Sequence, residues 1–289
     1  MEYHSDRFED YSLLVYRNNK LVAVLPANKK GDTVYSHQGL TYGGLVISSK
    51  MKLQDYIVLF QEVLRYLESQ EITTLELKEL PSFYSEIPAE EVGYLAQLTQ
   101  VKTTRVDTAS VITYGSKLSI QANRLEGVKK AQKQGLVIRE EAVFHTFWDE
   151  ILLPNLEERH DALPTHTSEE IQLLHQNFPK NIRQFNVYKE NVLVAGATIF
   201  ETKTTAHVQY ISGNKDKQQL GSLDFLFEEL INKTFAHKKY FDFGTSNENQ
   251  GKTLNSGLAY WKECFGARTM LHRFYSFDTS SHSLLNSVI

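Results

Sequence analysis

Cysteine and long apolar runs are both scarce in this chain of 289 residues. A single cysteine, Cys264, can form neither an internal disulfide nor a cysteine-based metal cluster, which favours a reducing compartment and a cytoplasmic protein. No stretch approaches the roughly 18 consecutive apolar residues that a membrane span needs. The N-terminal residues 1–7 are polar, unlike a secretory signal peptide.

An excess of charge of one sign is also missing. The chain has 31 basic and 35 acidic side chains and a net charge of −4, so it has no chain-wide basic field for nucleic acid. Hydrophobic residues make up 41% and charged residues 23%, which excludes disordered, collagenous and coiled-coil proteins. The length indicates about two domains.

The chain does contain an internal repeat. Residues 15–24 align without gaps with residues 187–196, and six of the ten positions are identical. Each copy has the pattern strand, polar tight turn, strand, which is typical of a β-hairpin. Two hairpins with asparagine turns can look alike by chance. The order of the later elements agrees as well, however, because each copy is followed by a strand, a helix and a second strand. The two strands are expected at 33–37 and 73–77 after the first copy, and at 206–212 and 240–243 after the second.

Apolar stripes predict the helices between these strands. One stripe comprises Tyr56, Phe60, Val63, Leu64 and Leu67, and the second comprises Leu223, Leu226, Phe227, Leu230 and Ile231. Thr167 and Glu170 have capping-box spacing, and Leu258, Trp261 and Phe265 mark a last helix that Gly266 is placed to end. This alternation predicts an α/β fold.

Three segments carry a resemblance to a known family. Residues 124–135 form a basic helix that ends in glycine, residues 241–244 read Phe-Asp-Phe-Gly, and residues 255–267 hold a lysine before a Phe-Gly pair. In this order they resemble the FemAB-like acyltransferases of the GCN5-related N-acetyltransferase (GNAT) superfamily, over nearly the whole chain. The resemblance implies a bacterial protein with two tandem GNAT-like domains, each a mixed β-sheet flanked by helices. It also implies transfer of an acyl or aminoacyl group to an amine.

The domain boundary is expected near residue 116. Residues 1–116 would form an N-terminal GNAT-like domain, and residues 117–289 a C-terminal one that opens with the basic helix. Family members usually have a short strand and helix before the segment that matches residues 3–5. We therefore expect the first domain to be shortened at its start.

A glycine-containing turn before a helix is where this superfamily holds the pyrophosphate of its acyl carrier, because free N–H groups and the helix dipole favour anions there. Gln218, Gln219, Gly221 and Ser222 stand directly before an apolar helix. The next residue is Leu223, where the family has glycine or alanine. Two interpretations stay open: an acyl-CoA site, or a plain loop with a helix start at Ser222.

The candidate catalytic residues are Lys262, Tyr210, His160 and Asp242. Lys262 lies on the helix face of Leu258, so it either extends to water or points into a polar cavity. The resemblance implies that it neutralises negative charge on the donor or the oxyanion. Tyr210 can donate a proton to the leaving group or simply pack in the sheet. Asp242 can orient the amine or cap its loop.

The candidate substrate-binding residues are Arg159, His166, His37 and Tyr42. Arg159 and His166 flank a histidine-containing loop, where the imidazole of His160 or His166 can take the amine's proton near neutral pH. The two histidines are six residues apart and no HExxH helix exists, so we expect no metal. His37 and Tyr42 lie in a glycine-containing loop that the resemblance implies is a wall of the acceptor site. A satisfied surface loop and plain tight turns are the alternatives.

Three functions remain. The first is an N-acyltransferase that moves an acyl group from acyl-CoA to the amine of a small molecule or cell-envelope precursor. The second is an aminoacyl-tRNA-dependent transferase that acts on a peptidoglycan precursor. The third is a non-catalytic binding protein that kept the GNAT fold. The sequence favours acyl-CoA over tRNA, because no aromatic residues interleave with the basic residues Lys129, Lys130 and Lys133 and no helical arm for tRNA is inserted.

Overall fold

The computed structural model describes residues 5–160 and 164–288, except for the side chains of residues 159 and 160. The chain forms two compact units. Unit 1 comprises Met1–Asp107 and Leu271–Ile289, and unit 2 comprises Thr108–Met270.

This division differs from the expected ranges 1–116 and 117–289 in two ways. The chain leaves unit 1 within a strand, Thr103–Thr113, and it returns to unit 1 within the last strand, Arg268–Asp278. The return follows from antiparallel pairing in which Phe274 lies opposite Lys78. A pairing between residues so far apart in the chain leaves no signal in the local sequence pattern.

Unit 1 contains a mixed sheet and a smaller sheet. The mixed sheet runs in the order β1 (Glu9–Asp10), β4 (Asn28–Lys30), β5 (Thr33–Tyr35), β7 (Thr74–Lys78), β16 (Arg268–Asp278). The smaller sheet runs in the order β2 (Leu13–Arg17), β3 (Lys20–Leu25), β6 (Val46–Ile47). The pair β5–β7 is parallel and the pairs β1–β4, β4–β5 and β7–β16 are antiparallel.

The helices of unit 1 are α1 (Leu53–Ser69), α2 (Glu91–Leu98) and 3₁₀ turns at Ser82–Tyr84 and Thr279–Ser287. The predicted apolar stripe of α1 is buried along its whole length. It packs with Leu75 and Leu77 of β7 and with Phe277 of β16, so one face of the mixed sheet forms the core of unit 1.

Unit 2 contains a longer mixed sheet and a two-stranded ribbon. The sheet runs in the order β8 (Thr103–Thr113), β13 (Tyr240–Thr245), β12 (Thr205–Gly213), β11 (Val192–Glu201), β10 (Ile182–Lys189), β9 (Val137–Glu141). The ribbon is β14 (Asn247–Glu248) with β15 (Thr253–Leu254). Strands β12 and β13 are parallel, and the other neighbours in the sheet are antiparallel.

Helices flank the sheet of unit 2. They are α3 (Ala122–Lys133), α4 (His145–Phe147), α5 (Leu153–His160), α6 (Ser168–Asn177), α7 (Lys217–Leu220), α8 (Ser222–Glu229) and α9 (Ser256–Glu263). A π-helical turn, Trp148–Leu152, joins α4 to α5, and another, Leu230–Thr234, extends α8. The predicted capping box is confirmed, because Thr167 accepts the N–H of Glu170 and Glu170 accepts the N–H of Thr167. The predicted α/β fold with mixed sheets flanked by helices is confirmed.

The repeated hairpin is present in both units. Strands β2 and β3 form the first copy and β10 and β11 the second, and each copy has an irregularity at the same place, after residue 15 or residue 187. Both central turn residues of each copy have positive φ: Asn18 49°, Asn19 60°, Glu190 49° and Asn191 65°. Two positive φ values in succession are typical of the tight hairpin turn that suits the twist of the strands.

Candidate active site

A cavity of about 680 Å³ lies in unit 2 at the end of β12. This volume is within the range that small-molecule sites occupy. Its apolar lining is Leu152, Leu156, Ile211, Leu223, Leu258 and Trp261, and its polar lining includes Arg124, Asn155, Ser212, Lys217, Gln218, Asp224, Asn255 and Tyr260. An apolar wall with a few charged groups suits a ligand that has an apolar part and a charged end.

The cavity begins where two parallel strands lose their pairing. Strand β12 pairs with β13 only at the first three positions, the last of which joins His207 to Asp242. Among the described residues no strand pairs with that side of β12 from residue 208 to its end at residue 213. The carbonyl of Gly213 accepts a hydrogen bond from Asn155 Nδ2 at 2.8 Å, and the backbone groups before it on this side of β12 pair with no strand of the described residues and can pair with a ligand.

An ion pair between two helices stands in the cavity wall. Arg124 of α3 donates from Nη1 to Asp224 Oδ1 of α8 at 3.0 Å. Burial raises the pKa of Asp224, although the charge of Arg124 opposes the shift. The buried Nε of Arg124 has no hydrogen-bond partner among the described residues. A buried donor without a partner is costly, so this N–H carries an uncompensated desolvation cost, while other atoms of Arg124 line the cavity.

Lys262 is buried, with only 3% of its surface exposed. Its Nζ donates to two backbone carbonyls of β13, Gly244 O at 3.1 Å and Thr245 O at 2.7 Å. Burial lowers the pKa of Lys262 to about 8, and the charge of Asp242 opposes this shift. Lys262 therefore neither extends to water nor lines the cavity. It ties α9, whose Leu258 and Trp261 line the cavity, to the end of β13.

Asp242 is fully buried, and both of its carboxylate oxygens have hydrogen-bond partners. Its Oδ1 accepts the N–H of Gly244 at 2.7 Å, and its Oδ2 lies 2.8 Å from Nδ1 of His207. The first contact is the loop cap that the sequence offered as one interpretation of Asp242. The second joins β13 to β12 at the last paired position, directly before the strands open. His207 was not among the candidates, since only the strand pairing brings it to Asp242.

Two predicted residues from distant segments meet in unit 2. The hydroxyl of Tyr210 lies 2.7 Å from Nδ1 of His166, and it accepts the backbone N–H of His166 at 3.1 Å. Both residues are largely buried beside Trp148, whose Nε1 donates to the carbonyl of His166. Burial raises the pKa of Tyr210, so its hydroxyl keeps its proton near neutral pH. Tyr210 lies two residues before Ser212 of the cavity wall.

The turn before α8 is filled by the protein itself. Gly221 has φ of +66°, and a Cβ there would lie 2.1 Å from the carbonyl oxygen of Gly127 in α3. Ser222 is fully buried, and its Oγ has no hydrogen-bond partner among the described residues. Gln218 lines the cavity, and Gln219 is exposed outside it. Gly221 is thus required by close helix packing, and only Gln218 of the four candidate carrier residues reaches the cavity.

The remaining candidates lie elsewhere. The side chains of Arg159 and His160 lie outside the described residues. His37 and Tyr42 belong to unit 1, where His37 is buried and accepts the N–H of Gly39 at Nδ1, and the hydroxyl of Tyr42 lies 2.8 Å from that of Tyr84.

The basic helix α3 has two different faces. Lys129, Lys130 and Lys133 are exposed, while Arg124 turns inward to the cavity wall. The sequence pattern marked α3 as basic but did not single out Arg124, because its partner Asp224 lies 100 residues away in the chain.

Two searches of the described residues found nothing. No helix there is both long and apolar enough to cross a membrane. No group of three or more histidine, cysteine, aspartate or glutamate side chains there is arranged to hold a metal ion.

The chain is similar to several solved structures. The structure of FemX is 10% identical with a TM-score of 0.66, over 94% of this chain and 88% of FemX. The C-terminal domain of a putative lysylphosphatidylglycerol synthetase from Agrobacterium fabrum is 11% identical with a TM-score of 0.60, over 96% of this chain and 88% of that domain. L-PGS from Bacillus licheniformis is 12% identical with a TM-score of 0.59, over 95% and 88%. The chain therefore has the fold of these proteins.

No family model matches the chain, and no curated protein matches its sequence. The similarity is thus one of fold, at identities near one residue in ten.

Proposed function

We propose that this protein is an N-acyltransferase of the FemAB-like kind, which holds its acyl donor in the cavity of unit 2. The observation that carries the proposal is the position of that cavity, at the unpaired end of β12 between α3, α8 and α9. The fold that the chain shares with FemX and lysylphosphatidylglycerol synthetase supports a transferase. The acceptor is an amine of a small molecule or a cell-envelope precursor.

Acyl-CoA fits this cavity as the donor. Its extended arm carries amide groups that can pair with the free edge of β12, as an added strand would. Its phosphates can approach the two cations of the cavity wall, Arg124 and Lys217. In this arrangement the phosphates of the carrier do not use the turn at Gly221, because that turn packs closely against Gly127 of α3.

The chemistry requires the amine nitrogen to attack the acyl carbonyl while the bond to the carrier sulfur breaks. The amine loses one proton and the leaving thiolate gains one. His166 and Tyr210 form a hydrogen-bonded pair beside the cavity wall, and this pair can relay that proton. Lys262 acts as a positioning residue, because it fixes α9 against β13 rather than touching the cavity.

An aminoacyl-tRNA donor is the second candidate. The filled turn at Gly221 favours it, since a tRNA donor needs no pyrophosphate site there. The name of lysylphosphatidylglycerol synthetase denotes attachment of a lysyl group, which is an aminoacyl transfer. The cavity would then hold the aminoacyl end of the tRNA.

Calorimetric titration distinguishes the donors. Acetyl-CoA, longer acyl-CoA esters, free CoA, charged tRNA and uncharged tRNA are titrated into the purified chain. Leu258→Trp fills the cavity from its wall, and Leu254→Trp is the matched control, an exposed leucine outside the cavity. We expect CoA esters to bind the natural chain and the control, and to bind Leu258→Trp at least about ten-fold more weakly, a loss of 1.4 kcal/mol.

If charged tRNA binds and the CoA esters do not, the donor is aminoacyl-tRNA, the second candidate, and not acyl-CoA. Binding of neither donor would contradict the transferase proposal and favour a non-catalytic binding protein that kept the fold.

A further inference from the structure

A second cavity, of about 370 Å³, lies wholly within unit 1. Its lining comes from the loop around β6, from the segment that follows β7, and from the first turns of α1 and α2. Much of this lining is apolar, including Leu45, Ile47, Met51, Leu80 and Val92. The volume is within the range that small-molecule sites occupy, so the cavity can hold a ligand with an aliphatic part.

The charged side chains of this lining are all acidic. Glu79, Glu86 and Glu91 line the cavity, and its described lining residues include no lysine, arginine or histidine. Lys50 and Lys52, on either side of Met51 in the chain, are exposed and lie outside the lining. An apolar cavity whose charges have one sign suits a ligand of the opposite sign, here a cation.

Glu79 is a buried carboxylate that is only partly compensated. It is 5% exposed, and its Oε2 lies 3.4 Å from Nη1 of Arg273, which is outside the lining. Its Oε1 bonds to none of the described residues and retains accessible surface. Burial raises the pKa of Glu79, and the charge of Arg273 opposes this shift. Since a contact of 3.4 Å is long for a charged pair, Glu79 can accept a shorter hydrogen bond from a cationic ligand.

Tyr56 presents a buried hydroxyl to the same cavity. The residue is 2% exposed and belongs to the lining, and its hydroxyl bonds to none of the described residues but retains accessible surface. Burial raises the pKa of Tyr56, and the charges of Glu91 and Glu79 raise it further, so the phenol keeps its proton. Both carboxylates therefore lie close enough to act on this hydroxyl. A buried hydroxyl without a partner is costly, which points to a ligand group that bonds to it.

Glu91 adds a second carboxylate to the lining. It is the first residue of α2, it is half-buried, and it has no hydrogen-bond or ion-pair partner among the described residues. The dipole of α2 already favours an acid at this position, so Glu91 alone does not indicate a ligand. Its position in the same lining as the unpaired hydroxyl of Tyr56 and the free oxygen of Glu79 does.

The kind of cation follows from the lining. No group of three or more histidine, cysteine, aspartate or glutamate side chains in the described part of the chain is arranged to hold a metal ion. The apolar walls instead suit a carbon chain, and a primary ammonium has three N–H donors for the oxygens of the three side chains. We propose that Glu79, Glu91 and Tyr56 bind the ammonium group of an aliphatic primary amine, either a free alkylamine or the side chain of a lysine.

This site differs from the site of the amine that the transferase would acylate. An ammonium held by carboxylates keeps its protons and has no lone pair with which to attack an acyl group. The cavity also belongs wholly to unit 1. Its test therefore does not depend on the transferase proposal.

Probes with one carbon chain and different end groups test the proposal. Hexylammonium, hexyltrimethylammonium, 1-hexanol and hexanoate are titrated into the full chain near pH 7 by calorimetry. We expect hexylammonium to bind about ten-fold or more tightly than 1-hexanol, which lacks the charge, and than hexyltrimethylammonium, which lacks the N–H donors. Hexanoate should not bind. A lysine blocked at both ends distinguishes the sources, since it binds more tightly than hexylammonium if the natural ligand is a lysine side chain and more weakly if it is a free amine.

Variants locate the binding. Glu79→Gln and Glu91→Gln should each weaken hexylammonium by about ten-fold and change 1-hexanol far less, because the alcohol carries no charge. Tyr56→Phe should weaken hexylammonium by about three-fold. Glu91→Gln keeps the test valid if Glu79→Gln does not fold, since Glu91 is only half-buried. Glu90→Gln is the matched control, because it removes the same charge from an exposed neighbour outside the lining, and it should change binding by less than about two-fold.

Several results would overturn the proposal. Hexylammonium might bind no more tightly than 1-hexanol or hexyltrimethylammonium, or not at all, and either result excludes an ammonium site. Binding of hexanoate as tight as that of hexylammonium would exclude a cation site. Unchanged binding in Glu91→Gln, or an equal loss in Glu90→Gln, would show that the lining carboxylates do not hold the ligand.

Discussion

The two copies of the hairpin have nearly the same sequence and very different surroundings. In unit 2, Leu193 is 5% exposed and packs with Phe147 and Trp148 of the helical segment that begins with α4. In unit 1, the equivalent Leu21 is 50% exposed, and Tyr16 of the paired strand is 59% exposed. The pattern of residues therefore determines the hairpin, while the element packed on its outer face determines burial.

The buried lysines give a second comparison between the units. Lys262 of unit 2 and Lys78 of unit 1 both donate to backbone carbonyls, and burial lowers the pKa of each to about 8. The charge that acts on Lys262 is an acid, Asp242, whereas the charge that acts on Lys78 is a base, Arg105. The charged neighbour therefore opposes the pKa shift of Lys262, whereas it adds to the pKa shift of Lys78.

The largest expected effect separates the two leucines of the repeat. Leu193→Ala should lower the free energy of unfolding by about 3 kcal/mol, because it opens a cavity in a packed cluster. Leu21→Ala should change it by less than about 0.5 kcal/mol, because that side chain is half exposed. Urea unfolding of both variants measures the difference. Equal losses would show that the outer faces of the two hairpins are equally covered.

The lysines should differ from ordinary surface lysines in the pH dependence of stability. A lysine with a folded pKa near 8 and an unfolded pKa near 10.5 lowers the free energy of unfolding below pH 8, because its charge is then buried in the folded chain. Between pH 8 and 10.5 the unfolded chain binds a proton that the folded chain has released, so stability rises with pH. For Lys262 the rise is on the order of 3 kcal/mol.

Denaturant unfolding across this pH range compares the natural chain with Lys262→Met. The natural chain should gain stability relative to the variant as the pH rises from 8 to 10.5. The natural chain should gain stability relative to Lys78→Met over the same pH range, because burial lowers the pKa of Lys78 to about 8 as well. Parallel curves for the natural chain and Lys262→Met would contradict the shifted pKa.

Gly196 of the second hairpin copy takes the place of a valine in the first copy. A substitution there tests how α4 packs on the second hairpin. A Cβ at Gly196 would lie 2.6 Å from a ring carbon of Phe147, whereas unit 1 has Val24 at the equivalent position. Gly196→Val should lower the free energy of unfolding by about 2 kcal/mol through overpacking. Thermal unfolding measures the loss, and the double variant Gly196→Val with Phe147→Ala should not add the two separate losses. Additive losses would place Phe147 away from Gly196.

The smallest expected effect concerns the turns. Glu190 has φ of 49°, where unit 1 has asparagine at Asn18 with the same φ. Asparagine adopts positive φ more readily than glutamate, so Glu190→Asn should raise the free energy of unfolding by about 0.5 kcal/mol. The reverse exchange, Asn18→Glu, should lower it by a similar amount. Chemical denaturation of both variants measures the pair, and changes of the same sign would contradict the shared turn.

Local patterns predicted the local elements of this fold. The stripe of α1, the capping box at Thr167 and the hairpins depend on neighbours within a few residues, and all are present. The return of the C-terminal strand to unit 1 depends on pairing of Phe274 with Lys78, which no local pattern encodes.

The candidate site was predicted in part for the same reason. Tyr210 and His166 were each chosen separately, and the fold joins them. Gly221 was chosen for a phosphate, although its glycine serves the contact with Gly127. Leu258 and Trp261 were chosen only because they mark a last helix, and in the fold both line the cavity. A residue such as His207 can be recognised as part of the site only from its contact with Asp242, which is distant in the chain.

Hydrogen–deuterium exchange with and without acetyl-CoA tests the central claim most directly. If the donor binds along the free edge of β12, exchange slows at residues 208–213 and at the α9 segment 256–261, and it stays unchanged in the hairpin at residues 13–25. Unchanged exchange at both segments of unit 2, or slowing confined to unit 1, would contradict a donor site in the cavity of unit 2.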